Sequence, residues 1–296
     1  MVEKLKSEPI GKSDIADYIS SYSDFAFELK VLSDIQKLGF SCVHDDVCEG
    51  PDTKKGGEFN IRALQTLEYE KTILNVHFSI KCKNIKKNFP LVIHCMPRVQ
   101  SESYCDLIWM IEKPQGEVDY RFPDTAFCIR VNSEDQLYTT GSPVGKSCDQ
   151  VGRAESGGEI FKSDTDIFEK ISQSINGSFN LVKSHFYDKV KEKDVISLII
   201  PILIVADDSL WSIKYDSNGN VNPDPHKMSY ISYFINKNWL LKGNRGALER
   251  YGLSHLEIIE RGYFSTFWES LLNNSMLSDK KMQELIGQKL DSINDG

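Results

Sequence analysis

Between residues 56 and 84, two alternating stretches set polar side chains in rows. In residues 58–66, Glu58, Asn60 and Arg62 alternate with Phe59, Ile61 and Ala63. In residues 73–83, Asn75, His77, Ser79, Lys81 and Lys83 alternate with Val76, Phe78, Ile80 and Cys82. Successive residues of a strand point to opposite faces, so each stretch has one polar and one apolar face. Joined by the turn-prone interval 67–72, they read as a β-hairpin. Two neighbouring strands that direct polar residues the same way line either solvent or a site. Glu58 brings a carboxylate and Asn60 one neutral oxygen, donors that a hard cation such as Mg²⁺ takes, whereas an ammonium at Lys81 repels a cation at close range.

The elements that must hold this hairpin follow from spacing. Phe25, Leu29, Leu32, Ile35 and Leu38 recur at helical intervals. Ser21, Ser23 and Asp24 are available as N-caps and Gly39 as a stop, so a helix is expected over 21–38, with Glu28 and Asp34 off or at the edge of its apolar stripe. Residues 1–14 read as a loose arm, 40–44 as a strand and 45–55 as a loop. Beyond a basic turn at 83–87, strands are expected at 90–96, 106–112 and 125–131, then a Gly- and Ser-rich connection at 141–158. Ile167, Ile171, Ile175, Phe179, Val182 and Phe186 predict a helix over 164–191, weakened by Gly177. The continuous apolar run 196–206 has the pattern of a strand buried on both faces, with Pro201 marking a bulge or irregular pairing. Residues 209–215 and 229–235 read as an antiparallel pair, and 253–273 and 279–293 as terminal helices.

Two phrases and this order of elements resemble the PD-(D/E)XK, or restriction-endonuclease-like, nucleases. Gly57-Glu58-Phe59-Asn60-Ile61-Arg62-Ala63 is similar to that family's Glu-hydrophobic-Asp segment, and Ile80-Lys81-Cys82-Lys83-Asn84 to its Ile-Glu-Cys-Lys-Asn segment. The succession of helix, strand, hairpin, long helix and buried strand is similar to its αβββαβ plan. The resemblance implies an α/β fold with a mixed central sheet, a β-rich insertion at about 96–158 and C-terminal helices. The corresponding divisions are an arm at 1–14, the main domain at 15–240 and a helical extension at 241–296. It further implies a metal-dependent endodeoxyribonuclease using Mg²⁺, which activates a water and stabilises charge on the phosphate. Carried over residue by residue, Glu28 matches the helix acid, Asn60 the strand-two Asp, Lys81 the strand-three acid and Lys83 the lysine that orients the nucleophile. Glu28, Glu58 and Asn60 are then the candidate metal ligands. Asn60 and Lys81 depart from the pattern, because each stands where the family has a metal-binding acid. The expectation is therefore a nuclease-like protein that binds or acts on DNA, in defence against foreign DNA, with an impaired or lost site. The alternative is a non-catalytic interaction or regulatory subunit on the same scaffold. A second alternative is an active Mg²⁺ endonuclease whose ligands have moved to Glu28, Glu58, Asp45, Asp46, Asp207 or Asp208. Segments 144–152 and 201–211 are similar to parts of bacterial nuclease-like proteins, which makes Lys146 and Gln150 candidate neighbours of the site.

Composition narrows these readings. The balance of 43 acidic against 35 basic residues, a formal charge of −8, removes the simplest electrostatic case for nucleic acid and leaves only a local basic patch. No apolar run is long enough to span a bilayer, so a cytoplasmic protein with no membrane partner is expected, its partners DNA or another protein. Seven cysteines without a CxxC pair indicate neither a zinc ribbon nor a disulfide framework, and most are expected to be buried and reduced. His94 and Cys95 adjoin in an apolar strand, where alternation sends them to opposite faces. Gly145-Lys146-Ser147 fails the phosphate-loop spacing because Thr140 stands where the first glycine belongs.

Overall fold

A computed structural model describes residues 8–44, 47–48, 57–58, 61–111, 126–132, 137–154, 158–163, 165–186, 193–222, 224–242 and 248–294. Helices α1 (Lys12–Ser21) and α2 (Asp24–Lys37) lead into strands β1 (Ser41–His44), β2 (Val47–Cys48), β3 (Gly57–Glu58), β4 (Ile61–Glu68) and β5 (Thr72–Lys83). Strands β6 (Leu91–Pro97), β7 (Cys105–Met110), β8 (Ala126–Val131), β9 (Pro143–Arg153) and β10 (Ile160–Ser163) come next. Helix α3 (Thr165–Phe186) precedes β11 (Asp194–Val205), β12 (Leu210–Lys214), β13 (His226–Lys227), β14 (Tyr230–Lys242) and β15 (Leu248–Glu260). Helices α4 (Phe264–Leu272) and α5 (Asp279–Asn294) follow.

Thirteen strands make one mixed sheet along the path β1-β4-β5-β11-β15-β14-β9-β6-β12-β13, with β7, β8 and β10 attached beside it, while β2 and β3 form a separate ribbon. The α/β class with a large mixed sheet agrees with expectation. Strands β4 and β5 pair antiparallel as the predicted hairpin, and β1 pairs antiparallel with β4. Strand β11 runs parallel to β5 in unbroken register from Thr72 opposite Asp194 to Lys83 opposite Val205. A parallel pair needs a crossover, which α3 supplies, and it is covered on both faces, which is why β11 is almost entirely apolar from Val195 to Val205, with Ser197 the one polar side chain. One face carries α2, α4 and α5 over Phe78, Ile80, Ile200 and Ile202. The other carries α3 over Ile199 and Leu203.

Several expectations are corrected. Residues 12–21 form a helix, so residues 12–14 do not belong to a loose arm. The buried face of α2 is Phe27, Glu28, Val31 and Ile35, whereas Phe25, Leu29 and Leu38 are exposed. Glu28 therefore points inward instead of lying at the stripe's edge. The helix does begin at Ser23, whose hydroxyl accepts the Ala26 N–H, and stops at Gly39, which takes a positive φ of 89°. Pro201 causes no bulge against β5. On the opposite edge of β11 the ladder with β7 ends at Leu198 and that with β15 starts at Ile202, so a residue without an N–H falls where the partner changes. The stretch 141–158 contains the eleven-residue strand β9. Strands β12 and β14 do not pair with each other: β12 runs parallel to β6, and β14 lies against β15. Residues 248–260 are a strand buried between β11 and β14, so the helical part of the C-terminal region starts only after Glu260. Strands β7 to β10, from the region expected to be an insertion, join the main sheet through β7 and β9.

Candidate functional site

Strands β5, β11 and β15 are parallel in the sheet and end side by side at Lys83, Val205 and Glu260. The carboxyl ends of parallel strands are where open α/β sheets present ligand sites. At this edge lies an open cleft of about 590 Å³, lined by Asp17, Ser21 and Tyr22 from α1 and its exit, Asn84–Lys87 after β5, and Ala206 and Asp207 after β11.

Lys83 immediately precedes Asn84, which lines the cleft. The Asn84 N–H donates to Asp24 Oδ1 at 2.9 Å, and Lys83 Nζ lies 3.1 Å from Asp24 Oδ2. Asp24 belongs to the first turn of α2, where unpaired helix N–H groups favour a negative charge. From the first turns of α3, Asp166 lies 3.9 Å from Lys83 Nζ, and Lys170 Nζ lies 3.9 Å from Asp24. The four groups form a neutral set of two ammonium ions and two carboxylates. Asp166 and Lys170 have no counterpart in the sequence reading, and Asp24 figures there only as a cap. Their signal was local: Asp166 and Lys170 sit four apart at the start of α3, and Asp24 sits one turn before Glu28.

The polar row of β5 is not a solvated surface. Lys81 is only 2 % exposed. Ser79 Oγ donates to the Ser174 carbonyl (3.0 Å) and Ser174 Oγ to the Ser79 carbonyl (2.9 Å), which clamps α3 onto β5. Ser174, Gly177 and Ser178 are all buried and form the small-residue face that lets the helix approach. Gly177, expected to weaken the helix, thus serves its packing. His77 lies against His185 with ring centroids 4.0 Å apart and the planes tilted by 36°. Burial, with smaller contributions from His185 and Arg62, pushes the His77 imidazole down to about 2.

Apart from Glu28, which lies close enough to Cys82 to act on its thiol together with Lys81, Lys170 and Asp24, the other expected residues that are described disperse. Glu28 is buried with Oε2 3.7 Å from His44 Nε2. Glu58 is placed in β3, opposite Val47. Asn60, Asp45 and Asp46 lie outside the described residues. Asp207 Oδ1 accepts the Gly262 N–H at 2.7 Å, and Asp208, at a positive φ of 64°, pairs with Lys87 at 2.6 Å and Lys227 at 3.4 Å. Hydrogen bonding to Lys87, with Lys227 nearby, holds the Asp208 carboxyl below its usual range. Both acids therefore brace turns. Lys146 and Gln150 sit on β9, four strands from β5; Lys146 pairs with Glu102 and Gln150 donates to the Phe89 carbonyl. His94 contacts Tyr215 and Asp149, while Cys95 faces the core, as alternation required.

A divalent cation takes its ligands from several carboxylate oxygens. Among the described residues no group of three or more His, Cys, Asp or Glu side chains is disposed to hold a metal. Asp24, the carboxylate nearest Lys83, already accepts an N–H and faces two ammonium groups. Asp24 by itself therefore does not make a site for Mg²⁺. The arrangement suits holding the starts of α2 and α3 against the end of β5, beside a cleft whose rim carries Lys86 and Lys87. Lys86 Nζ lies 3.0 Å from the Tyr22 ring centroid. Among the described residues no helix is long and apolar enough to cross a membrane. Comparison with known proteins finds no matching family model, no matching curated protein and no matching solved structure.

Proposed function

We propose that the chain is a nuclease-like protein of restriction-endonuclease-like αβββαβ topology that holds DNA without cleaving it. The observation that carries this reading is the ion-pair set at Lys83. In the family that the hairpin resembles, a lysine orients the attacking water and nearby acids hold Mg²⁺. Here Asp24 is shared among Lys83, Lys170 and the Asn84 N–H, and Lys81 stands in place of an acid. The order α2, β1, β4, β5, α3, β11, with neighbours β1-β4-β5-β11, supports the topology. The cleft at the strand ends supports binding, since Lys86 and Lys87 offer phosphate contacts and Tyr22 a ring for stacking.

The test is titration of duplex and single-stranded oligonucleotides at low and physiological salt, beside plasmid incubated with Mg²⁺ or Mn²⁺. Expected are intact plasmid and binding that falls steeply with salt. Lys86→Ala should bind more weakly, with a salt slope smaller by about one. Plasmid cleavage that disappears in Lys83→Ala would overturn the silent site. The formal charge of −8 favours a second reading, a scaffold for a protein partner, and no DNA binding at low salt would select it.

A further inference from the structure

On the sheet face away from α3, a pocket of about 90 Å³ opens beneath α4, between it and strands β11, β14 and β15. Its floor is Glu257, only 1 % exposed, and its walls are the rings of Tyr138, Tyr230, Tyr263 and Phe267. Tyr230 and Tyr263 lie nearly parallel, 14° apart with centroids at 6.1 Å, and Phe267 tilts against Tyr230 at 5.4 Å. Ser270 and Asn274 belong to the lining on the α4 side. We propose that this pocket binds the head of a small organic ammonium ion, a primary or methylated amine, with Glu257 as its counter-ion.

The carboxylate is prepared for a charge. Tyr138 Oη donates to Oε1 at 2.8 Å and Ser232 Oγ to Oε2 at 2.8 Å, and Ser232 Oγ also meets Tyr230 Oη at 2.9 Å. An ionised carboxylate accepts at about four lone-pair sites, so these bonds leave it capacity. Among the described residues no Lys or Arg lies within ion-pair distance of Glu257. The nearest guanidinium, Arg98, donates instead to His255 Nε2, the Thr139 carbonyl and Ser142 Oγ. Burial holds the Glu257 carboxyl above its usual range, with the Ser232, Tyr138 and Tyr230 hydroxyls and the more distant charge of Arg98 opposing it only in part. A buried carboxylate without a cation is unfavourable, and bringing one in removes that penalty. Aromatic faces attract cations and do little for anions, so walls and floor select the same charge. The volume admits a head group of a few heavy atoms, with the remainder of the molecule leaving past Ser270. The inference is independent of the DNA reading, which rests on another part of the sheet.

The experiment is thermal denaturation and calorimetric titration of the whole chain with tetramethylammonium, methylammonium and butylammonium chlorides. Sodium chloride at equal ionic strength and tert-butanol, a neutral molecule of similar shape, serve as controls. Expected is saturable stabilisation by at least one ammonium salt, absent with both controls. Glu257→Gln, which keeps the shape and removes the charge, should weaken it about tenfold or more. Tyr263→Ala, which leaves the carboxylate's hydrogen bonds in place, should weaken it several-fold through loss of a cage wall and carries the test if Glu257→Gln does not fold. Equal binding of tert-butanol, unchanged affinity in either folded variant, or no saturable binding of any ammonium salt would each overturn the proposal.

Discussion

Asp24 joins three groups at the end of β5, accepting the Asn84 N–H and facing both Lys83 and Lys170. Its side chain is about one quarter exposed, so solvent screens the ion pairs and the N–H contact dominates its value. Asp24→Ala should lower the unfolding free energy by about 1–2 kcal/mol, read from urea denaturation, with Asp24→Asn losing less. Equal losses in the two variants would mean that charge, not the hydrogen bond, is what matters there. Two buried histidines set a pH dependence. Burial pushes His77 down to about 2, and burial together with Arg98 and Lys146 does the same to His255. Both stay neutral in the folded chain while the unfolded chain takes up protons near pH 6.5, so their contribution is full above 6.5 and lost as pH falls toward 2. The slope is up to about 1.4 kcal/mol per pH unit for each histidine. Neither ring nitrogen of His77 has a hydrogen-bond partner among the described residues. His77→Leu should therefore be neutral to stabilising at pH 7 and should flatten the decline between pH 6.5 and 5 in urea midpoints. An unchanged slope would sink this assignment. Side-chain alternation made the polar row of β5 legible. Its burial was not, because the residues that cover Ser79 and His77 come from α3, far along the chain.

Strand β9 shows how an element can hide in composition. Its glycines and serines suggest a loop, yet Gly145 lies opposite Cys95 of β6 on one side and Tyr233 of β14 on the other. A Cβ there would come within 2.7 Å of Ile93 Cγ2 and 2.8 Å of Tyr233 Cδ2. Gly145→Ala should cost about 1–3 kcal/mol by forcing β6 and β14 apart, measured by thermal or urea denaturation. A variant as stable as the parent would show that the two strands yield without strain. Strand β15 misled for the opposite reason: Leu253, Leu256 and Ile259 fall at intervals a helix also allows. Residues 251–260 are buried throughout, and a strand enclosed between β11 and β14 has no polar face to give period-two alternation. Strands with distinct faces, such as β5, and the long amphipathic helix α3 were legible. Partners such as β6 for β12 were not, since alternation fixes a face and not a neighbour.

Across the whole molecule, strands β6 to β10 and the strands after α3 complete the sheet that the hairpin begins. Strand β7 covers the first part of one β11 edge and β15 the last part, while β9 continues the sheet beyond β14. With β5, β7 and β15 all paired to β11, scanning calorimetry should give one cooperative transition; two resolved transitions would mean that the strands on one side of β11 unfold separately. The parallel pairing of β5 with β11 also bears on how the chain is made. Residue 83 leaves the ribosome well before residue 194, and until then β5 has no partner along one whole edge. At about 5–20 residues per second, translation leaves that edge, a row of unpaired N–H and C=O groups beside apolar faces, open for on the order of ten seconds. Nascent chains halted within this interval are where chaperone capture and misassociation should concentrate.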